Sequence, residues 1–265
     1  MSFRFQRKYL SIPYIVFFLL FIIVPIFLII YYAFTDKATG NFSFINLVHF
    51  FSDMTNINVL IISLVFALAT TVICLIIGYP VAYILANKKF NKNKVIVMLF
   101  VMPMWINFII RTGATRDLLT WIGLGGGTHP TFATLVGLVY NYLPFTVLPL
   151  YSTMLKMDRS LIEASADLGA NPVQTFIKVI IPMTMPGIVS ACTMVFMPTI
   201  SSYVISDLLS EYNIVLFGSY IDLYFNQANW NFGAFMALIM LILVGISVVV
   251  TRKFSKEENA RTSLW

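Results

Sequence analysis

From residue 10 to residue 34 the sequence carries no charged side chain, and the runs 59–86, 95–110, 131–155, 183–206 and 232–250 share that property. A helix needs about 20 consecutive apolar residues to cross the hydrocarbon core of a bilayer. No water is present there to satisfy open backbone groups, so the helix is the default spanning structure. Composition agrees, with 59% hydrophobic residues, 11% charged residues and a mean hydropathy of +0.87. That leaves too little polar surface to coat a water-soluble globule, and lipid must cover much of the chain. The pattern predicts an all-α membrane protein with six transmembrane helices in a single domain, residues 1–265. The spans are placed at 10–34, 59–86, 95–112, 131–154, 186–206 and 232–251. The third is the shortest, and its flanking Lys94 and Arg111 are expected to snorkel to the two interfaces.

Orientation follows from the basic residues, which accumulate on the cytoplasmic side. With the N-terminus inside, only Lys37, Arg111 and Arg116 of the 17 Lys and Arg fall outside. The expected topology therefore has both termini in the cytoplasm, and the net charge of +6 reflects insertion rather than nucleic-acid binding. The first apolar stretch is longer than a signal-peptide core of about 7–15 residues, and no small-residue cleavage site follows it, so an uncleaved first helix is expected. Cys74 and Cys192 each fall inside a span, and His49 and His129 fall in different outer loops. Neither pair has the spacing of a disulfide framework or a metal site. Gly125-Gly126-Gly127 lacks the Gly-Lys-Ser/Thr ending of a phosphate loop and reads as a flexible turn.

The loop at 155–185 has its own helix punctuation. Ser160 and Glu163 have capping-box spacing and open a helix on which Leu161, Ala164, Ser165 and Leu168 share a face. Gly169 supplies a left-handed stop. Asn171 and Pro172 then restart a helix as N-cap and first helical residue, and that helix is expected to end before Pro182. Two short amphipathic helices in the cytoplasm require a partner surface.

The spacing Glu163-Ala164-Ser165, three residues, Gly169, nine residues, Val179-Ile180-Ile181-Pro182 resembles the EAA motif of binding-protein-dependent ABC importer permeases, with Ser, Val and Ile replacing Ala, Ile and Leu. It lies, as in that family, in a cytoplasmic loop two spans before the C-terminus. The resemblance extends over nearly the whole chain and is closest to the first permease of spermidine/putrescine importers. The stretches Pro103–Thr112, Tyr140–Phe145 and Tyr203–Leu209 support it. One departure follows Thr112, where Gly113-Ala114-Thr115-Arg116-Asp117 replaces the family's aromatic Tyr-Ala-Trp segment and longer loop.

The resemblance implies a type I ABC importer permease fold with cytoplasmic coupling helices. Glu163, Ala164, Ser165, Asp167, Gly169, Asn171 and Pro182 would serve ATPase coupling. The implied partners are a second homologous permease, two copies of a cytoplasmic ATPase, an extracytoplasmic polyamine-binding protein and the lipid bilayer, with no nucleic acid. ATP and Mg would be bound by the ATPase, leaving this chain without cofactor, metal or catalytic residue. Asp36, Asp53, Asp117, Asp207, Glu211 and Asp222 make the outer side acidic, which attracts a polycation; acidic outer loops also follow from the positive-inside bias. Asp207, Tyr203, Trp105, Asn141 and Glu211 are the candidate substrate-path residues, with Asp207 set to meet an ammonium group and Tyr203 to add cation–π attraction. The alternative cargo is an iron complex, thiamine or an opine-like cation. The spans carry neither the residue pairs of an intramembrane enzyme nor the coupling carboxylates of a secondary carrier.

Overall fold

The computed structural model describes residues 12–87, 95–158 and 160–262. Their backbone is almost wholly helical, with one isolated antiparallel bridge between Thr35 and Phe42. Among the described residues, five helices are long and apolar enough to cross a membrane: Pro13–Ala33, Met54–Ala86, Pro130–Lys156, Pro172–Ser201 and Trp230–Thr251. A sixth candidate is the pair Val95–Trp105 and Phe108–Trp121, bent by 96° at the break between them. The basic clusters at 4–8 and 88–94, on which the expected orientation largely rests, lie outside the described residues.

By its internal contacts the chain divides into two units. The first comprises residues up to Asn58 together with Tyr220–Ile242. It contains α1 (Ile12–Phe18), a π-helical turn at Leu19–Ile23, α2 (Val24–Ala33), α3 (Ile45–Ser52) and the start of α4 (Met54–Ala86). The π turn comes just before Pro25, the second residue of α2. Proline donates no hydrogen bond to the carbonyl four residues back, and the helix widens to absorb the loss. The open carbonyls where α2 ends are met by two buried amides. Asn46 Nδ2 donates to the Ala33 carbonyl at 2.9 Å, and Asn231 Nδ2 to the Thr35 carbonyl at 2.7 Å. The rings of Phe42, Phe44 and Phe235 each contact Phe34 beside this cap. No residue of the most apolar window of Pro13–Ala33 is buried within the chain, which leaves that helix for lipid or a partner.

The second unit is Val59–Ser219 with Leu243 onward. After α4 come α5 (Val95–Val101), a 3₁₀ turn at Met102–Trp105, α6 (Phe108–Trp121), α7 (Pro130–Lys156), α8 (Ser160–Asp167), α9 (Pro172–Thr175), α10 (Ile181–Ser201), α11 (Val204–Ser210) and the start of α12 (Phe217–Asn226). The last helix, α13 (Trp230–Thr262), ends in this unit. Helix α7 is the hub, packing on α10, α11 and α6. One apolar cluster joins Leu138 to Phe66, Leu119, Ile205, Leu209 and Leu216; another joins Val147 and Leu150 to Ala82, Leu85 and Ala191. In lipid such contacts hold by close packing rather than by release of water. The fully buried Thr112, Thr184 and Thr199 each donate to the carbonyl four residues earlier, at 2.7, 2.9 and 2.7 Å. Their hydroxyls are thereby satisfied inside their own helices, so they suit a membrane interior.

Four expectations are corrected. The third span is not one straight helix: Ile106 and Asn107 are extended, and the Asn107 side chain caps α6 by accepting the Ile109 N–H at 2.9 Å. Arg111 does not snorkel, being 8% exposed on α6. The helix opened by Asn171 does not stop before Pro182, because a π turn at Phe176–Ile180 carries it into α10, again just ahead of a proline at the second helical position. Finally, Gly125 and Gly126 are buried rather than forming a loose turn, and a Cβ on Gly126 would overlap the Leu209 carbonyl.

Candidate functional site

The cytoplasmic element is built locally. Gly169 has φ 81°, the left-handed value at which glycine carries no steric cost. The Ala170 N–H bonds the Ser165 carbonyl at 3.0 Å and the Gly169 N–H bonds that of Ala166 at 2.9 Å, the pair of contacts that closes a Schellman stop. The capping box predicted at Ser160 is absent there, because the Ser160 N–H is donated to Asp158 Oδ1 at 3.0 Å. Those Ser160 contacts hold the exposed Asp158 carboxyl below its ordinary value of 3.8. The reciprocal box forms instead at Asn171, whose Oδ1 accepts the Gln174 N–H at 2.8 Å while Gln174 Oε1 accepts the Asn171 N–H at 3.1 Å. Ser165 is turned inward, its hydroxyl 2.9 Å from that of Thr175, and so joins α8 to α9. Glu163, Ala164, Asp167, Leu168 and Gly169 remain exposed, Leu168 at 89%. Glu163 also borders a cleft of about 240 Å³ with Tyr83, Asn87 and Met157. Pro182 sits apart from this surface, in the first turn of α10.

The second candidate site is a cavity of about 580 Å³ beside the broken third span. Trp105, Asn141 and Tyr203, all three named from sequence, line it together. Asp207 and Glu211 are not among its lining residues. Asp207 lies half-buried in the first turn of α11, where its Oδ1 accepts the Ser219 hydroxyl at 2.7 Å. Glu211 closes α11 in a left-handed conformation, φ 53°, and is exposed beside Gly127.

The residue that sequence reasoning missed is Arg111. Its Nε and Nη2 donate to Asn141 Oδ1 at 3.0 and 2.5 Å, and its Nη1 donates to the Pro103 carbonyl at 2.9 Å. The guanidinium lies 5.3 Å from the centre of the Tyr140 ring. Asn141 Nδ2 in turn donates to the Gly137 carbonyl at 2.9 Å. Arg111 therefore ties the chain before the break to α6 and both to α7. Pro103 and Asn107, a breaker and a capping residue four apart, are the sequence signal that would have placed Arg111 inside the protein rather than at its edge.

No family model matches the chain. It is 34% identical over 266 residues to the spermidine/putrescine transport system permease protein PotB of Escherichia coli (strain K12), covering 92% of this chain and 96% of the relative. The PotB of Haemophilus influenzae is 31% identical, with 92% of each chain covered. Among solved structures, a bacterial alginate ABC transporter in complex with its periplasmic protein matches with a TM-score of 0.69 at 16% identity, covering 94% and 93% of the two chains. The MetNI methionine ABC transporter in inward-facing form matches at 0.59 with 22% identity, covering 76% of this chain and 95% of that one. These two likenesses establish the helical fold of ABC importer permeases, while the sequence agreement runs nearly end to end. The chain belongs to the PotB family of ABC transporter permease proteins.

Proposed function

We propose that this chain forms one half of the translocation path of an ATP-driven importer that brings spermidine or putrescine across the cytoplasmic membrane. The observation that carries the reading is the 34% identity to the Escherichia coli PotB over 92% of the chain. The chain has no catalytic site of its own and draws its energy from a separate ATPase. In the assembly it pairs with a second homologous permease, two ATPase copies and an extracytoplasmic polyamine-binding protein. The exposed α8 face with Glu163, Ala164, Asp167 and Leu168 meets the ATPase, and Gly169, Asn171 and the π turn before Pro182 pass its movement to α10. Their support is local: a stop, a cap and a continuous helix link an exposed surface to a spanning segment. The cavity at Trp105, Asn141 and Tyr203 is this chain's share of the route.

The direct test is uptake by the reconstituted complex with its binding protein. ATP-dependent accumulation of labelled spermidine or putrescine is expected, with no uptake of thiamine or a ferric complex; the reverse pattern would overturn the cargo. Orientation has its own check. A cysteine at Thr39 is expected to react with an impermeant thiol reagent in intact cells and one at Ser160 to be protected, which puts both termini in the cytoplasm.

A further inference from the structure

Among the described residues, Arg111 is the single Lys, Arg, Asp or Glu lining the cavity at Trp105 and Tyr203. It is also the single such residue lining a neighbouring cavity of about 600 Å³ bordered by Ile110, Thr115 and Tyr140. Arg111 thus borders two open volumes of the same unit. All three of its hydrogen bonds go to neutral oxygens, Asn141 Oδ1 twice and the Pro103 carbonyl. The one ion pair among the described residues is Arg116 with Asp117, both more than one-third exposed. A guanidinium does not deprotonate in a protein, so the charge at Arg111 is permanent, and no carboxylate among the described residues forms an ion pair with it. A charged side chain within the membrane is costly and marks a functional route more often than a structural one.

Bracketing the broken span requires donors but not a charge. A bracket alone would need only an amide or hydroxyl reaching Pro103 and Asn141. The charge has a separate consequence: in a low-dielectric wall it raises the potential on both sides and repels another cation. We propose that Arg111 is a specificity-determining residue of this cavity, a fixed positive charge that keeps a cationic cargo from resting on this chain's wall. The ammonium groups are then neutralised from across the path, by the second permease. This chain contributes apolar and aromatic surface, Trp105 and Tyr203, along which the aliphatic part of the cargo slides. The proposal rests on the polyamine reading above and adds a division of labour between the two halves.

The test uses the complete importer in lipid nanodiscs. Retention of labelled spermidine and putrescine is measured without binding protein, and turnover is measured with saturating loaded binding protein. Arg111→Gln keeps a hydrogen-bonding head but removes the charge. It is expected to retain several-fold more spermidine than the wild type, to turn over more slowly, and to show a smaller gain for putrescine, which has fewer ammonium groups. Arg111→Lys keeps the charge and should retain no more than the wild type. Asn141→Asp leaves the bracket in place and neutralises the guanidinium, so it should raise retention as Arg111→Gln does, and it carries the test if Arg111→Gln does not assemble. Unchanged retention in Arg111→Gln and Asn141→Asp, within a complex that moves polyamines, would sink the charge role and reduce Arg111 to a bracket. A wild-type complex that moves neither polyamine overturns the cargo reading first, and this proposal with it.

Discussion

Two breaks in the helical chain meet the same physical demand in opposite ways. At Gly169 and Asn171 the freed backbone groups are satisfied within a few residues, by the Schellman contacts and the Asn171–Gln174 box. At Ile106 and Asn107 the Asn107 cap is local, but the geometry of the break is held by Arg111, which reaches back to Pro103 and across to Asn141 on α7. The first break is exposed and capped by its own neighbours, so its turn keeps its shape, while the helix that follows runs on through the π turn into α10. The second is exposed at Ile106 and Asn107 themselves, but its shape is shared between elements through the buried Arg111 and Asn141, which hold it in place. The difference suits the roles proposed for them: a lever must keep its shape while it moves, and a passage wall must keep its place.

The largest expected effect comes from breaking the shared site. Asn141→Leu removes the acceptor of two guanidinium hydrogen bonds, and losing charged hydrogen bonds in a buried place costs about 2–3 kcal/mol. A clear drop in the unfolding temperature of the purified complex is the expected outcome; an unchanged midpoint would mean the wall is not held by this contact. Next is the outer loop. Gly126→Ala puts a methyl group against the Leu209 carbonyl, an overpacking worth about 1–3 kcal/mol. Gly127→Ala meets only the Glu211 carboxylate at 3.3 Å and should be nearly neutral, so comparing the two melting curves isolates the docking of α11.

At the lever the effects are smaller and functional. Gly169→Val forces a β-branched residue into φ 81°, at about 1–2 kcal/mol. Transport should fall while the binding protein still captures cargo normally, and Gly169→Asn should be milder, since Asn tolerates that conformation better. Equal transport by Gly169→Val would break the comparison, because the turn geometry would then not matter to coupling. The smallest effect concerns pH. The Asp158 carboxyl is held below its ordinary value by Ser160, so its contribution is fully present above 3.8 and is lost as pH falls through the lower folded value. The protection of the Ser160 amide, relative to its intrinsic exchange rate at each pH, should fall only in that acidic window. A loss of protection near neutral pH would show that a different group holds the start of α8.

The membrane class was legible because a span is a one-dimensional fact: uncharged length decides it. The coupling element was legible for a related reason, since Gly169, Asn171 and Pro172 act through their own backbone and immediate neighbours. Even there the Ser160 box failed, because Asp158, two residues earlier, competed for the same N–H. The glycine run at Gly125-Gly126-Gly127 shows the limit from the other side. Its composition permits a loose turn, and only the approach of Leu209 and Ser210, far along the chain, turns Gly126 into a packing requirement. Trp105, Asn141 and Tyr203 each stand out singly in the sequence, but no periodicity shows that they border one volume, because they come from three separate segments. The sequence by itself determined what the local backbone and local hydropathy decide: helices, stops, caps and the residence of the chain in lipid. Only the tertiary structure decided where Arg111 lies, because a side chain that long takes its partners from whatever the bend of the third span brings within reach.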